Sequence, residues 1–272
     1  QETDVGTIVL LDDDLLGELP RSLIADGGFD VLCHALEAYA ATGAGKTSDL
    51  FAREAFSMAY ANLPASYAGR KEVRLKVHRA ATMAGIAFTQ AGLGLCHAMA
   101  HALGGQFHLP HGRLNAILLP AVLSCNAHVC GKKYAELARA TGIGGSADTI
   151  AVRNLKNALV RLRRELNMPD TLAQAGISPI AVRSNSASLV QAVLEDPCCA
   201  TNPAPVTRAM ARQVLDEFAM DKLLSVGLDI GTTTSQLIVS RLTVQNQASG
   251  FLVPRLEITD RQILYRSPVH FT

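Results

Sequence analysis

GLGLCHAMAHALGGQFHLPHG, residues 92–112, decides how this chain folds. Glycines punctuate its start, and the alanine-rich apolar run that follows has no strand alternation, so it reads as a helix. His97 and His101 lie four apart and share one helical face. The turn at Leu109–Gly112, with Pro110 inside it, can swing His111 back towards them. A second stretch, GGFDVLCHALEAY at residues 27–39, repeats the spacing with Asp30 and His34. One carboxylate and several imidazoles, with no thiolate required, suit a catalytic divalent ion better than a structural zinc site. Iron(II), zinc, manganese and cobalt all fit such a donor set. On spacing alone, hydrogen-bonded core histidines remain the competing reading.

Outward from these stretches the chain reads as successive helices. Thr47–Asn62 carries Leu50, Phe51, Ala55, Met58 and Ala59 along one face, with Thr47 or Ser48 as its cap. Val73–Gln90 follows, with Leu75, Val77, Ala81 and Met83, and is broken by Gly92 and Gly94. Leu114–Ser124 reads as a buried core helix, too short to cross a membrane. The basic run at residues 153–164 spaces its charges around an amphipathic helix and predicts a solvated face. GIGGS at residues 142–146 ends a helix rather than forming a cofactor loop. Pro64, Pro110, Pro120, Pro169, Pro179 and Pro203 are expected in connections or at helix starts.

GLGLCHAMAHALGGQFHLPHGRLNAILLP and GFDVLCHALEAY resemble the C-terminal helical domain of the iron-containing alcohol dehydrogenases, in particular those of ethanolamine and propanediol utilisation. The similarity runs from about Ile8 to about Phe218 and closes on LEDPCCATNPAPVT, residues 194–207. The resemblance implies that Asp30, His34, His97 and His111 ligate iron(II). It implies that His101 stands near the substrate as a proton relay or pocket wall. Phe88 and Cys198 would line the substrate and nicotinamide pocket. The implied activity exchanges hydride between a small alcohol or aldehyde and NAD(P). The family's GGGS-type phosphate loop does not occur here, so its nucleotide-binding half is read as absent, with Ile8–Leu11 as the last strand before the helices.

After Phe218 the pattern turns to alternation. LLSVGLDIGTTTSQLIVSRL, residues 223–242, reads as two strands joined by a tight turn. DIGTTT at residues 229–234 resembles the first phosphate loop of the actin-like ATPases, with Asp229, Gly231, Thr232 and Thr233 as its weak candidates. The stretch to residue 272 resembles the start of the ethanolamine ammonia-lyase reactivating factor. A second phosphate loop and an adenosine pocket are needed for nucleotide binding, which is therefore not expected of this tail.

The fold expected is mainly α. A helical metal-binding domain at residues 1–220 is followed by a partial β segment at residues 221–272. The function expected is a metal-dependent alcohol dehydrogenase or aldehyde reductase, impaired by loss of its nucleotide domain. Two other readings stand beside it: a metal-binding fusion remnant without catalysis, and part of an ATP-dependent reactivating factor. The apolar face where the missing domain would dock predicts self-association. A net charge of +1 gives no reason to expect nucleic acid or a membrane surface as partner. The six cysteines, without a signal peptide, are expected as reduced thiols in a cytosol, in possible association with a bacterial microcompartment.

Overall fold

The computed structural model describes residues 10–12, 16, 18–219, 221–230, 234–246, 256–268 and 270–271. The chain divides into two units, Gln1–Ile177 with Asn185–Val214, and Ser178–Ser184 with Leu215–Thr272. The first is a bundle of α1 (Arg21–Ala40), α2 (Lys46–Tyr67), α3 (Arg74–Ala91), α4 (Leu95–Phe107), α5 (His111–Ala140) and α6 (Asp148–Glu165). The helix α7 (Pro179–Ser184) comes next in the chain, then α8 (Ser186–Glu195) and α9 (Arg208–Ala219). Helix α1 packs on α2, α3 and α5, while α4 packs on α5 and α8. Leu10–Asp12 adopt no regular structure, and Ile8 and Val9, the start of the expected entry strand, lie outside the described residues.

The core is built where helices come close. Along α2 the buried apolar positions are Ala52, Ala55, Phe56, Ala59 and Leu63, and along α3 they are Ala80, Ala84, Ala87 and Ala91. These are the i, i+3, i+4 stripes of an amphipathic helix, drawn mostly in alanine. The larger residues expected to mark the faces lie off these stripes. Leu50 is 60% exposed, and Phe51, Met58, Leu75, Val77 and Met83 are only partly covered. Small side chains let helix backbones approach, so the contact line follows alanine rather than bulk. Gly112 serves the same end where α1 crosses α5. A Cβ there would collide with the Asp26 carbonyl and come within 3.2 Å of the Asp30 Cβ.

Two prolines expected in connections sit inside helices instead. Pro64 lies in the last turn of α2, and Pro120 in the middle of α5. Helix α5 is long and apolar enough to cross a bilayer, yet Leu114, Ala116, Leu118 and Leu119 are fully buried among the other helices. It kinks at Cys130, whose φ of −113° and ψ of 19° leave the helical region.

Pro120 has no N–H to offer the Ala116 carbonyl. Arg163 from α6 takes that place, its Nη1 donating to Ala116 O at 3.0 Å, while its Nη2 reaches Asp170 Oδ1 at 2.7 Å. Arg163 is thus buried at 5% exposure, the exception in a basic run whose Arg153, Arg161 and Arg164 are exposed as expected. Arg163→Leu should cost about 1–3 kcal/mol, because it leaves a buried carbonyl without a donor. Adding Pro120→Ala, which restores the helical N–H, should recover part of that loss in urea denaturation. Strictly additive costs would show the two residues to be uncoupled.

The start of α2 is capped differently from expectation. Gly45 is the cap residue, and its N–H donates to Ser48 Oγ at 2.8 Å, so Ser48 closes the turn from the third helical position. The loop after α5 does end that helix, with Gly142 and Gly144 at φ of 76° and 74°.

In the second unit, β1 (Asp221–Ile230), β2 (Thr234–Asn246) and β3 (Leu256–Arg266) form an antiparallel sheet in chain order, and β4 (His270–Phe271) extends it by pairing with the start of β2. The expected hairpin is present in register from Asp221↔Val244 to Ile230↔Ser235. Asp229 stands on β1 opposite Gln236. Gly231, Thr232 and Thr233 lie outside the described residues.

Candidate metal centre

Helices α1, α4 and α5 meet at one point, and each delivers a polar side chain to it. The start of α4 is fixed by two buried side chains. Glu37 from α1 accepts the backbone N–H of Cys96 on Oε1 at 2.7 Å and that of Gly94 on Oε2 at 3.1 Å. Asn202 accepts the Leu95 N–H at 3.0 Å and is paired with Asn126 of α5 at 2.9 Å in both directions. Gly94 makes the approach possible, because a Cβ there would lie 2.7 Å from Asn202 Oδ1 and 2.9 Å from Glu37 Oε1. A carboxylate at a helix N-terminus satisfies orphan N–H groups and meets the positive end of the dipole.

Helix α4 ends at His108, held in the left-handed region at φ 57°, and Pro110 caps α5. The reversal therefore falls at His108–Pro110, and His111 is already the first residue of α5 rather than part of the turn. That places His111 beside α4. Its ring stacks on His101 at 5.1 Å and lies 5.2 Å from His97.

Asp30 is the hub. Its Oδ1 lies 3.5 Å from His111 Nε2 and 3.7 Å from His97 Nε2, and ligand atoms of these three residues all fall within 4.8 Å of one another. His34 stands beside this trio, its Nδ1 3.7 Å from the other oxygen of Asp30. It is sandwiched between Phe88 at 4.7 Å and His97 at 4.4 Å. His101 lies outside the trio and 46% exposed, with Nδ1 2.8 Å from Asp196 Oδ2. Cys198 falls with His101 and Asp196 in a second group of close ligand atoms. Hence Asp30, His97 and His111 converge, while His34, Phe88, His101 and Cys198 surround them.

Charge follows from this packing. Burial alone would push the His97 imidazole down, but hydrogen bonds to Asp30 and Glu37, added to their charges, hold it up to about 9. Burial carries His34 down to about 4 against the pull of Asp30, and it also lowers His111. Asp30 is held low despite its burial, by the His97 hydrogen bond and the neighbouring imidazoles. The Cys198 thiol is pushed up to about 12 by burial and then by Asp196, so it is no ready nucleophile.

The donor chemistry fits a divalent transition ion: one carboxylate and neutral imidazoles suit iron, zinc, manganese or cobalt. The outer contacts fit as well. Glu37 Oε2 holds His97 Nδ1 at 2.6 Å, which leaves His97 Nε2 facing Asp30. Asn115 is fully buried, and its Nδ2 donates to Asp30 Oδ1 at 2.7 Å while standing 3.0 Å from His111 Nε2. Glu37, Asn115, Asp196 and Asn202 were not singled out from the sequence. Glu37 did carry a signal, since a lone acid inside the apolar run HALEAY is stable when buried only if it is partnered. His101→Ala should leave the Mn²⁺ affinity of the Asp30 centre within about threefold, and a loss equal to that of His97→Ala in a Mn²⁺ titration would show His101 to be a ligand of that centre.

A helical bundle that aims a carboxylate and two imidazoles at one point, with aromatic and polar side chains around it, has the donor set of a divalent-metal centre. The chain belongs to the iron-containing alcohol dehydrogenase family, whose C-terminal model matches residues 24–219. Residues 221–272 match the model of the ethanolamine utilisation protein EutA. The chain is 40% identical over 218 residues to the 1-propanol dehydrogenase PduQ of Salmonella typhimurium, covering 77% of this chain and 58% of that one. It is 37% identical over 214 residues to the probable alcohol dehydrogenase EutG of the same organism, with 78% and 51% covered. The solved iron-containing alcohol dehydrogenase of Thermococcus thioreducens superposes with a TM-score of 0.71 at 33% identity, covering 77% of this chain and 53% of that one. The chain thus spans about half the length of the curated relatives it matches.

Proposed function

We propose that the helical unit is the metal-binding half of an alcohol dehydrogenase or aldehyde reductase of ethanolamine or propanediol utilisation. Asp30, His97 and His111 hold the ion, and His34 completes the set from the far oxygen of Asp30. The observation that carries this reading is the meeting of ligand atoms from three helices within 4.8 Å. Iron(II) is the ion favoured by the family, NAD(P) is the hydride carrier, and small alcohols and aldehydes are the substrates. The setting proposed is the cytoplasm, in association with a bacterial microcompartment.

A divalent ion bound there supplies Lewis-acid activation of an alcohol or aldehyde oxygen. The residues supply the rest. Asp30 contributes the negative charge that holds the ion and partly neutralises it. Glu37 fixes the His97 ring so that only Nε2 is offered. His101 donates its Nδ1 proton to Asp196, which leaves Nε2 as the nitrogen that takes or returns the hydroxyl proton. Phe88 walls the far side by stacking on His34.

His111→Ala should weaken the affinity for Mn²⁺, read by electron paramagnetic resonance, by tenfold or more. For substrate, the Co²⁺-loaded chain should change its d–d absorption on addition of 1-propanol, and His97→Ala should abolish that response. An unchanged spectrum in the parent chain would contradict an ion open to substrate.

A further inference from the structure

The cluster of His101, Asp196 and Cys198 has a chemistry of its own. Asp196 and Cys198 stand on one tight turn, a 3₁₀ helix at Pro197–Thr201, where Asp196 Oδ1 accepts the Cys198 N–H at 2.9 Å. That bond fixes the Asp196 carboxylate against the backbone that carries Cys198. The other Asp196 oxygen holds His101 Nδ1 at 2.8 Å, and α4 brings the His101 ring in from the opposite side. One ligand atom from each of His101, Asp196 and Cys198 lies within 4.8 Å of the other two. Donors around a tetrahedral zinc-sized ion stand about 3.3–3.8 Å apart, as bond lengths of about 2.0–2.3 Å require. Closing the cluster therefore takes side-chain adjustment of about an ångström, without refolding. His101 is exposed, and Asp196 and Cys198 are partly covered, so an ion has access and a fourth position stays open to water.

We propose that His101, Asp196 and Cys198 form a second cation site, adjacent to the Asp30 centre and selective for thiophilic divalent ions such as Zn²⁺, Cd²⁺ or Co²⁺. The two sites differ in kind. The Asp30 group offers oxygen and nitrogen only, whereas the second offers sulfur, nitrogen and oxygen. An ion there takes the place of the thiol proton, which leaves to solvent as the thiolate–metal bond forms. It also occupies the pair that positions His101, and His101 stacks directly on His111. Filling the second site therefore blocks the proton path proposed for His101 and crowds the His111 ring beside it, so thiophilic ions inhibit whatever chemistry the first site performs. Mg²⁺, a hard ion, leaves it empty.

The thiolate gives the site a signature that the first one lacks. The anaerobic, reduced chain titrated with Co²⁺ should develop a sulfur-to-cobalt charge-transfer band. The band should persist in His97→Ala, where the first site is broken, and vanish in Cys198→Ser. Asp196→Asn should weaken Co²⁺ affinity for this band by about tenfold or more. Absence of the band in the parent chain overturns the proposal. Survival of the band in Cys198→Ser also overturns it, and would point to Cys33, which lies with Glu37 and His97 in the buried interior. Loss of the band in His97→Ala, with the fold intact by circular dichroism, would show one shared site and overturn it as well.

Discussion

Glu37→Ala is expected to unfold the metal-free bundle well below the parent chain, at a cost of about 3–5 kcal/mol. Glu37 is 4% exposed and serves four donors: the N–H groups of Gly94, Cys96 and His97, and His97 Nδ1. Removing it strands three helix-start N–H groups and an imidazole in the interior. For a bundle of this size the drop in Tm is roughly 6–20 °C. Glu37→Gln is the informative control. Every partner of Glu37 donates, and a carboxamide brings one acceptor and two donors of its own. Glutamine therefore fills the volume while setting N–H against N–H, and it should still cost more than half of the alanine loss. If glutamine proved neutral in thermal melts, Glu37 would be a packing residue only. Both variants should also weaken metal binding by about 10–100-fold, through the freed His97 ring.

The second large effect is a pH dependence. In the metal-free chain His97 holds its proton up to about 9, and an ion can bind only where that proton has left. His34 titrates at about 4 and His111 is also lowered, so both are neutral already, and Asp30 is ionised. One proton is thus released on binding. Mn²⁺ affinity should rise about tenfold for each pH unit from 7 towards 9 and then level off. The metal-free fold responds with the opposite sign. A raised histidine contributes stability that is fully present below its ordinary value of 6.5 and is lost as pH rises through about 9. A Mn²⁺ affinity flat between pH 7 and 9 would mean that His97 is neutral before the ion arrives.

Much of this fold was legible because glycine, histidine and alternation leave local marks. GLGLCHAMAHALGGQFHLPHG announces a helix, a reversal and a second helix, and α4, the His108 turn and α5 follow that outline. The hairpin of β1 and β2 was legible from period-two alternation alone. Contact faces were harder. An alanine stripe such as Ala80, Ala84, Ala87 and Ala91 has less hydrophobic contrast than larger neighbours such as Leu75 and Met83, which lie off the buried face. Pro120 was misplaced because the donor that replaces its missing N–H, Arg163, stands 43 residues later in the chain. The same holds at the metal centre. Spacing pairs Asp30 with His34 and His97 with His101, but distance in space unites Asp30 with His97 and His111. Glu37, Asn115 and Asn202 act across 57, 85 and 107 residues, a span no local pattern reaches.

The most direct measurement is the Fe²⁺ content of the anaerobically loaded Cys198→Ser chain, beside the same chain carrying His97→Ala. Serine removes the thiolate of the outer cluster, so any tightly held ion belongs to the inner one. About one Fe²⁺ per chain, lost with His97, is the result expected if Asp30, His97 and His111 build the centre. Iron that stays bound without His97, or no bound iron in either protein, would contradict it.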